Sequence, residues 1–471
     1  MGMGSQKVYY KHRPIPYHKT KTPMTTTLIS NAEILNEGIR QQGDLLIKNG
    51  RIEQIGGQIT APADAKVVDA QGKLLIPGMI DDQVHFREPG LTAKGSMATE
   101  SRAAVAGGIT SFMEMPNVNP QTTNIEALEA KFARAAEVSV ANHSFYLGAT
   151  NDNLDVIKSM DPSAACGIKI FMGASTGNML VDNPETLAGI FANAPVPIAT
   201  HCEDTPMIAA NEAAARAKYG EAVPMHLHGE IRSREACIKS TKLAIELARK
   251  HGARLHVLHI STADELALFE PSKSLASLKD ANITAEACVH HLYYSDEDYA
   301  RLGAQIKCNP SIKTEQDRLA ILDAVRRDVI DIIATDHAPH TWEEKQGTYF
   351  NAPSGVPLVQ HALLSLFEHY HAGALSLETI VQKTSHAVAE RFNLKERGYL
   401  REGYHADLAL VDLNAPYTVS KDNLLYKCQW SPWEGQTLRS TIAGTWVGGH
   451  HVFDGQNASQ QPVGQRLSFN R

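Results

Sequence analysis

The sequence predicts an α/β protein, a distorted (β/α)8 barrel of the TIM type with a small β-sandwich domain built from both chain termini. Eight short apolar runs alternate with stretches of helical period in the middle of the chain. Short strand-like runs with tight turns occur on either side of this stretch. Eight strands that are each followed by a helix favour a barrel over an open doubly wound sheet. The open sheet is also disfavoured because no GxGxxG motif follows the first strand.

The length of 471 residues suits a barrel with an attached smaller domain. Residues 1–23 are basic, contain three prolines and show no helical period, so we expect a disordered extension or an artificial addition. Residues 24–76 and 386–471 are expected to form the two parts of the small β domain. Residues 77–385 are expected to form the barrel and to carry the functional site.

The two end segments share a pattern of short strands and tight turns. Residues 44–47 and 51–55 alternate in polarity and are separated by Asn49-Gly50, a dipeptide typical of hairpin turns. The pattern returns in residues 406–411 and 440–447. Two β fragments that flank a long α/β stretch indicate one discontinuous domain.

The barrel is predicted from apolar strand runs and from helical periods between them. The intervening helices are clearest at Ile125–Val138, Ser233–Lys250 and Glu315–Arg327, which contain good helix formers at a 3.6-residue period. The predicted strands are Met79–His85, Ile109–Met115, Ser144–Leu147, Ile168–Phe171, Pro197–His201, Leu255–Ile260, Ile283–Val289 and Ile332–Asp336.

The composition argues against several classes of partner. A formal net charge of −7 gives no electrostatic reason to expect nucleic acid or an anionic membrane surface. No window approaches the roughly 18 apolar residues of a membrane span. The six cysteines contain no CxxC pair, so a reducing, cytoplasmic location is expected. The expected partner is a small-molecule substrate, and assembly into a homo-oligomer is left open.

Polar residues stand where strand runs end, at the rim where barrel enzymes place their catalytic groups. His85, His201 and His259 each close an apolar run, and Asp336 closes the last one. A single histidine in such a place is more often a structural residue. Four such residues at one rim, however, form a set of imidazole and carboxylate ligands suited to zinc. The sequence therefore predicts a metal site there.

Lys169 is unusual because it interrupts the apolar run Ile168–Phe171. A lysine in a strand usually extends its ammonium group to solvent. A buried ammonium group beside a divalent cation would be repelled and costly to desolvate. Reaction of the amine with carbon dioxide would instead give a carbamate, an anionic oxygen ligand able to bridge two metal ions. We put this modification forward as a hypothesis.

These motifs resemble those of the amidohydrolase superfamily, and specifically of the dihydroorotases, over nearly the whole chain after Met24. Pro77–Gly90 resembles the opening motif of the superfamily, and Phe86–Gly90 and Met115–Asn117 carry the specific part of the resemblance. Asp336–His340 alone would indicate only a broader group of cyclic amidases. The resemblance implies a hydrolase that reversibly closes N-carbamoyl-L-aspartate to L-dihydroorotate in pyrimidine biosynthesis, with one or two zinc ions per chain.

The resemblance also implies roles for individual residues. Asp336 would be both a metal ligand and the general acid and base of the reaction. The implied metal ligands are His85, carbamylated Lys169, His201, His259 and Asp336. The implied substrate-binding residues are Arg87, Asn117 and His340 for the carboxylate, and Asn309 near the ring. A guanidinium group suits the first task because it can bind a carboxylate through two parallel hydrogen bonds.

One position departs from the family pattern of His-x-His on the first strand. The chain has Gln83-Val84-His85, and Asp81, Gln83 and His85 are predicted to share one face of that strand. A neutral amide oxygen is a weaker zinc ligand than imidazole, so occupancy of one metal position is in question. Two alternatives to a dihydroorotase stay open: a hydantoinase or allantoinase, and a catalytically silent relative that partners another enzyme.

Overall fold

The computed structural model describes residues 26–173, 179–272 and 274–471. The predicted extension, residues 1–23, lies outside the described residues. The strands in chain order are β1 (Thr27–Asn36), β2 (Ile39–Lys48), β3 (Arg51–Gly56), β4 (Lys66–Asp69), β5 (Leu74–Pro77), β6 (Met79–Val84), β7 (Ile109–Glu114), β8 (Asn142–Phe145), β9 (Leu147–Gly148), β10 (Ile168–Phe171), β11 (Ile198–His201), β12 (Leu255–Val257), β13 (Ile283–Cys288), β14 (Ile332–Ala334), β15 (Leu408–Asp412), β16 (Tyr417–Thr418), β17 (Thr437–Leu438), β18 (Thr441–Val447) and β19 (His450–Phe453).

The α-helices connect the strands of the middle segment and cover its outside. They are α1 (Met97–Ala106), α2 (Ile125–Val138), α3 (Leu154–Ser159), α4 (Pro184–Asn193), α5 (Thr205–Tyr219), α6 (His228–Ile231), α7 (Arg234–His251), α8 (Val289–Tyr293), α9 (Tyr299–Leu302), α10 (Glu315–Arg326), α11 (Trp342–Lys345), α12 (Ala362–His371), α13 (Leu377–Val381) and α14 (Ala387–Phe392).

The small β domain contains strands from both ends of the chain, as predicted. Its sheet has the order β19-β18-β15-β5-β1-β2-β3, with β4 paired to β1. The two chain segments are joined where β5 pairs antiparallel with β15, for example Pro77 with Leu408. Ile29, Leu45 and Trp446 are among the side chains of its own apolar core. This buried apolar area holds the two segments together.

The middle segment has the predicted (β/α)8 arrangement of parallel strands. One sheet has the order β6-β7-β8, and a second has the order β14-β13-β12-β11-β10-β9. The third predicted strand is split into β8 and β9 at Tyr146, whose hydroxyl donates to the carbonyl of Asp82 at 3.0 Å. A parallel bridge between Val84 and His337 links the first strand to the chain just after the last. Because the strands are parallel, their carboxyl ends form one rim.

The predicted strands extend slightly too far at this rim. The first ends at Val84, the sixth at Val257 and the last at Ala334. His259 and Asp336, which lie just beyond, have positive φ angles of 40° and 51°, outside the β region. His85, His259 and Asp336 therefore follow their strands directly, whereas Lys169 and His201 lie within β10 and β11.

Two further expectations concern the whole chain. Within the described ranges, no helix is both long enough and apolar enough to cross a membrane. The six cysteines are all buried and unpaired, in agreement with the absence of a disulfide pattern in the sequence.

Candidate active site

A polar cleft of about 440 Å³ opens at the carboxyl ends of the barrel strands. It brings together eight of the nine residues predicted for the site, and the ninth, His340, is hydrogen-bonded just behind Arg87. The residues that line the cleft are Gln83, His85, Arg87, Asn117, Lys169, Phe171, His201, His259, Asn309, Asp336, Ala338, Ser354 and Gly355.

One side of the cleft is organised around the carboxylate of Asp336. His85 Nε2 and Gln83 Nε2 both approach Asp336 Oδ1, at 3.2 and 3.1 Å. Burial raises the pKa of Asp336, but the hydrogen bond and charge of His85 outweigh this effect and the pKa is lowered. The Gln83 oxygen accepts a weak bond from the Cys288 thiol at 3.7 Å. The Gln83 amide is therefore held between a carboxylate and a thiol.

The opposite side of the cleft carries a pair of histidines. His201 Nδ1 and His259 Nε2 lie 3.1 Å apart, and His201 Nε2 contacts Glu203 Oε2 at 2.8 Å. Glu203 is fully buried and also forms an ion pair with Arg232. Although burial opposes it, the Arg232 charge and the His201 hydrogen bond lower the pKa of Glu203 to about 2. An ionised Glu203 orients the His201 ring, as carboxylates do behind metal-binding histidines.

Lys169 lies in the cleft and is only 1% exposed. Its Nζ is 4.8 Å from the centre of the Phe171 ring. Burial lowers the pKa of Lys169 to about 8, against the opposing charges of Asp336 and Glu286. About one tenth of the amine is thus neutral at pH 7, far more than for an ordinary lysine, and the neutral amine is the form that reacts with carbon dioxide.

The donor atoms in the cleft fit a zinc ion. Two nitrogen ligands of tetrahedral zinc, each about 2.0–2.1 Å from the metal, lie roughly 3.3 Å apart. The 3.1 Å separation of the His201 and His259 nitrogens is close to this value. His85 with Asp336 forms one half of the donor set, and His201 with His259 forms the other, with Lys169 in the same cleft.

Arg87 supplies a buried positive charge in the cleft. Its Nε donates to the Pro339 carbonyl at 3.0 Å, and its Nη2 lies 3.1 Å from His340 Nε2. Burial lowers the pKa of Arg87 to about 10, so the group stays cationic at neutral pH. His340 therefore contacts Arg87 and supports it from behind. The Asn117 oxygen is 2.8 Å from His85 Nδ1, a contact that fixes the orientation of the ring.

A short loop, residues 349–355, closes one wall of the cleft. Lys345 is 2% exposed, and its Nζ donates to the carbonyls of Pro353 and Gly355 at 2.8 and 2.9 Å. Burial and the charge of Lys307 lower the pKa of Lys345 to about 7. The buried Lys345 amine thus holds this loop in place through the carbonyls of Pro353 and Gly355.

Three residues of the cleft have left-handed backbone conformations. Arg87, His259 and Asp336 have φ angles of 72°, 40° and 51°. Such conformations cost about 1–3 kcal/mol each in non-glycine residues and are concentrated at functional sites. The surrounding fold supplies this energy in order to aim the three side chains into the cleft.

Sequence reasoning missed the polar groups behind the cleft. Glu203 was detectable, because it lies two residues after His201 and so shares its face. Two buried groups of potential metal ligands also appear among the described residues. They are Cys288 with His290 and His291, and Asp82 with His256 and Glu286. Asp82, His256 and Glu286 come from three separate strands, and no spacing in the sequence marks them. Cys288, His290 and His291 are neighbours in the sequence, at the end of β13 and in α8.

Comparison with known proteins identifies the family of the chain. The model of the amidohydrolase family matches residues 74–452. A dihydroorotase from Halobacterium salinarum is 33% identical over 432 residues, which cover 88% of this chain and 96% of that protein. An allantoinase from Desulfitobacterium hafniense is 31% identical over 445 residues, which cover 92% of this chain and 96% of that protein.

Among solved structures, an L-hydantoinase from Arthrobacter aurescens superposes with a TM-score of 0.88 at 25% sequence identity. The match covers 94% of this chain and all of that one. The relatives thus share the fold and differ in the cyclic amide that their names state.

Proposed function

The chain belongs to the amidohydrolase family and is a cyclic amidohydrolase of the dihydroorotase, allantoinase and hydantoinase type, and we propose that its substrate pair is L-dihydroorotate and N-carbamoyl-L-aspartate. We also propose that the chain divides into a barrel, residues 77–385, and a small β domain, residues 24–76 and 386–471.

The observation that carries the substrate assignment is the buried guanidinium group of Arg87 in the cleft. A cation that is 4% exposed is costly unless an anion compensates it. Arg87 directly contacts a carbonyl and the His340 ring, neither of which carries a negative charge at neutral pH, while Asp336 and other carboxylates act on it through their charge alone, without a hydrogen bond to it among the described residues. Dihydroorotate carries a ring carboxylate that would compensate the charge, whereas allantoin and unsubstituted hydantoin carry none. The planar guanidinium group also matches the geometry of a carboxylate, which it can bind through two parallel hydrogen bonds.

The proposed ligands of the metal are His85, Lys169 as its carbamate, His201, His259 and Asp336. A zinc ion held by these residues would supply a Lewis acid that polarises the ring carbonyl and makes water more acidic.

Asp336 is proposed to move the proton. In the hydrolytic direction, water adds to the ring carbonyl carbon while Asp336 accepts its proton. The bond from that carbon to the ring nitrogen then breaks, and Asp336 returns the proton to the nitrogen. Arg87 with Asn117 holds the carboxylate, and Asn309, whose buried Oδ1 has no partner in the described chain, faces the ring. Positioning of this kind brings the carbonyl within reach of the attacking oxygen.

A direct test compares three substrates with the purified holoenzyme. We expect ring opening of L-dihydroorotate to have the highest kcat/KM, ahead of allantoin and hydantoin, in protein whose metal content is measured in parallel. Faster turnover of allantoin or hydantoin would move the chain to that branch of the family. A metal content near zero with no turnover of any substrate would favour the silent relative.

A further inference from the structure

A second group of metal-binding side chains lies behind the cleft. Cys288 ends β13, and His290 and His291 follow in α8. All three are buried, and one ligand atom from each lies within 4.8 Å of the others. None of the three lines the cleft. The Cys288 sulfur nevertheless lies 3.7 Å from the Gln83 oxygen, so the group is separated from the cleft by one side chain.

The His291 ring is already oriented as a ligand. Its Nε2 lies 3.1 Å from the Pro310 carbonyl, which can only accept, so Nε2 carries the proton. The lone pair is then on Nδ1, and this buried atom has no hydrogen-bond partner within the described ranges. A histidine held through one nitrogen by a backbone carbonyl, with the other nitrogen free, is the usual arrangement of a metal ligand.

His290 lacks more hydrogen-bond partners than His291 does. It is 1% exposed, and neither of its ring nitrogens has a partner at full hydrogen-bond geometry among the described residues, although the Thr335 backbone carbonyl approaches the ring. Its ring centroid lies 4.2 Å from that of His291. A buried polar group without a partner costs about 1–3 kcal/mol. The two adjacent imidazoles thus have three nitrogens without a full hydrogen bond, which destabilises the folded protein locally. A metal ion bound to these nitrogens would remove much of this destabilisation.

We propose that Cys288, His290 and His291 bind a divalent transition-metal ion of the zinc type, separate from the metal of the cleft. One thiolate and two neutral imidazoles match the soft and borderline ligands that zinc prefers. Binding replaces the proton on the Cys288 sulfur, so one proton is released per metal bound. The remaining positive charge of the complex faces Glu286, whose Oε1 lies 3.4 Å from the sulfur. The site adds to the proposed function and does not depend on which cyclic amide is the substrate.

Cobalt substitution tests the site by its sulfur ligand. The protein is produced with Co²⁺ as the only added transition metal, and its absorption spectrum and metal content are measured. We expect a thiolate-to-cobalt charge-transfer band in the near ultraviolet. The ligands proposed for the cleft contain no sulfur, so that centre contributes no such band. In Cys288→Ser the band should vanish and the metal content should fall by about one ion per chain.

Cys237→Ser is the matched control, because Cys237 is also buried but lies in α7 and contacts Ser261. It should keep both the band and the metal content. If Cys288→Ser does not fold, His290→Gln serves instead, and its band should weaken or shift. The absence of a charge-transfer band in the folded cobalt protein, or a band that survives in Cys288→Ser, would overturn the proposal. Neither result bears on the substrate, which the turnover assay decides.

Discussion

Replacement of Gln83 by methionine tests how this glutamine acts in a place where the family pattern has histidine. The change keeps the length of the side chain but removes the donor that lies 3.1 Å from Asp336 Oδ1. A hydrogen bond to a charged group contributes about 1.5–3 kcal/mol. Because about 1.4 kcal/mol corresponds to a factor of ten in rate, kcat/KM should fall roughly 10- to 150-fold. His85 still contacts Asp336, so the loss should not be complete.

Two further readouts separate the possible roles of Gln83. Its oxygen faces the Cys288 sulfur and not the metal-binding atoms of the cleft, so we expect Gln83→Met to retain the metal content of the wild type. A donor to an ionised carboxylate lowers its pKa, and its removal should therefore shift the acidic limb of the pH–rate profile to higher pH.

The assay is the steady-state ring opening of dihydroorotate over a range of pH, with metal analysis of each preparation. Gln360→Met is the control, because Gln360 is equally buried but bonds to Asn423 and Leu425, away from the cleft. Loss of metal in Gln83→Met would show that Gln83 is a ligand and would refute the hydrogen-bond argument. An unchanged kcat/KM and pH profile would also refute it, because the hydrogen bond to Asp336 would then contribute nothing to catalysis.

Three further predictions concern Arg87, Lys169 and Lys345. Arg87→Lys keeps the charge but loses the planar fork, so kcat/KM for dihydroorotate should fall on the order of 10²-fold with metal retained, and unchanged kinetics would remove Arg87 from substrate binding. Lys169→Ala should lose metal and activity, with partial rescue by short carboxylic acids, whereas a bare amine in the electron density of an active, metal-loaded crystal would exclude the carbamate. The pKa of Lys345 is about 7 in the folded protein, whereas its ordinary value is 10.5. Between these two pH values the unfolded chain therefore binds more protons than the folded chain does. The free energy of unfolding should thus rise with pH across this window, by up to about 1.4 kcal/mol per unit, and the rise should be smaller in Lys345→Met in denaturant titrations at several pH values.

The order of the barrel strands could be predicted because each strand is a short apolar run with a helical period after it. The fourth predicted strand, Ile168–Phe171, and the helix Ile125–Val138 have the predicted bounds. The strand ends were harder to predict, since His259 and Asp336 leave the β region through positive φ angles that tertiary contacts impose. Polarity at the rim was therefore a better guide to the site than the length of each run.

The position of the candidate site was predictable, but the support of its side chains was not. Residues at the carboxyl ends of parallel strands must meet at one rim, which is why distant motifs converge on one cleft. Hydrogen-bond partners depend instead on rotamers and on packing across strands. No pattern in the sequence indicates that Asn117 contacts His85, or that Gln83 bridges Asp336 and Cys288.

The pairing of β5 with β15 has a consequence for how the chain is made. Pro77 and Leu408 are partners in the sheet, yet about 330 residues separate them in the sequence. At 5–20 residues per second, a ribosome needs roughly 15–65 s to synthesise the intervening barrel. During that time one edge of β5 has no strand beside it, and unpaired edges are sites of aggregation. A chaperone that protects the nascent N-terminal sheet during this interval would therefore most improve the yield of folded protein.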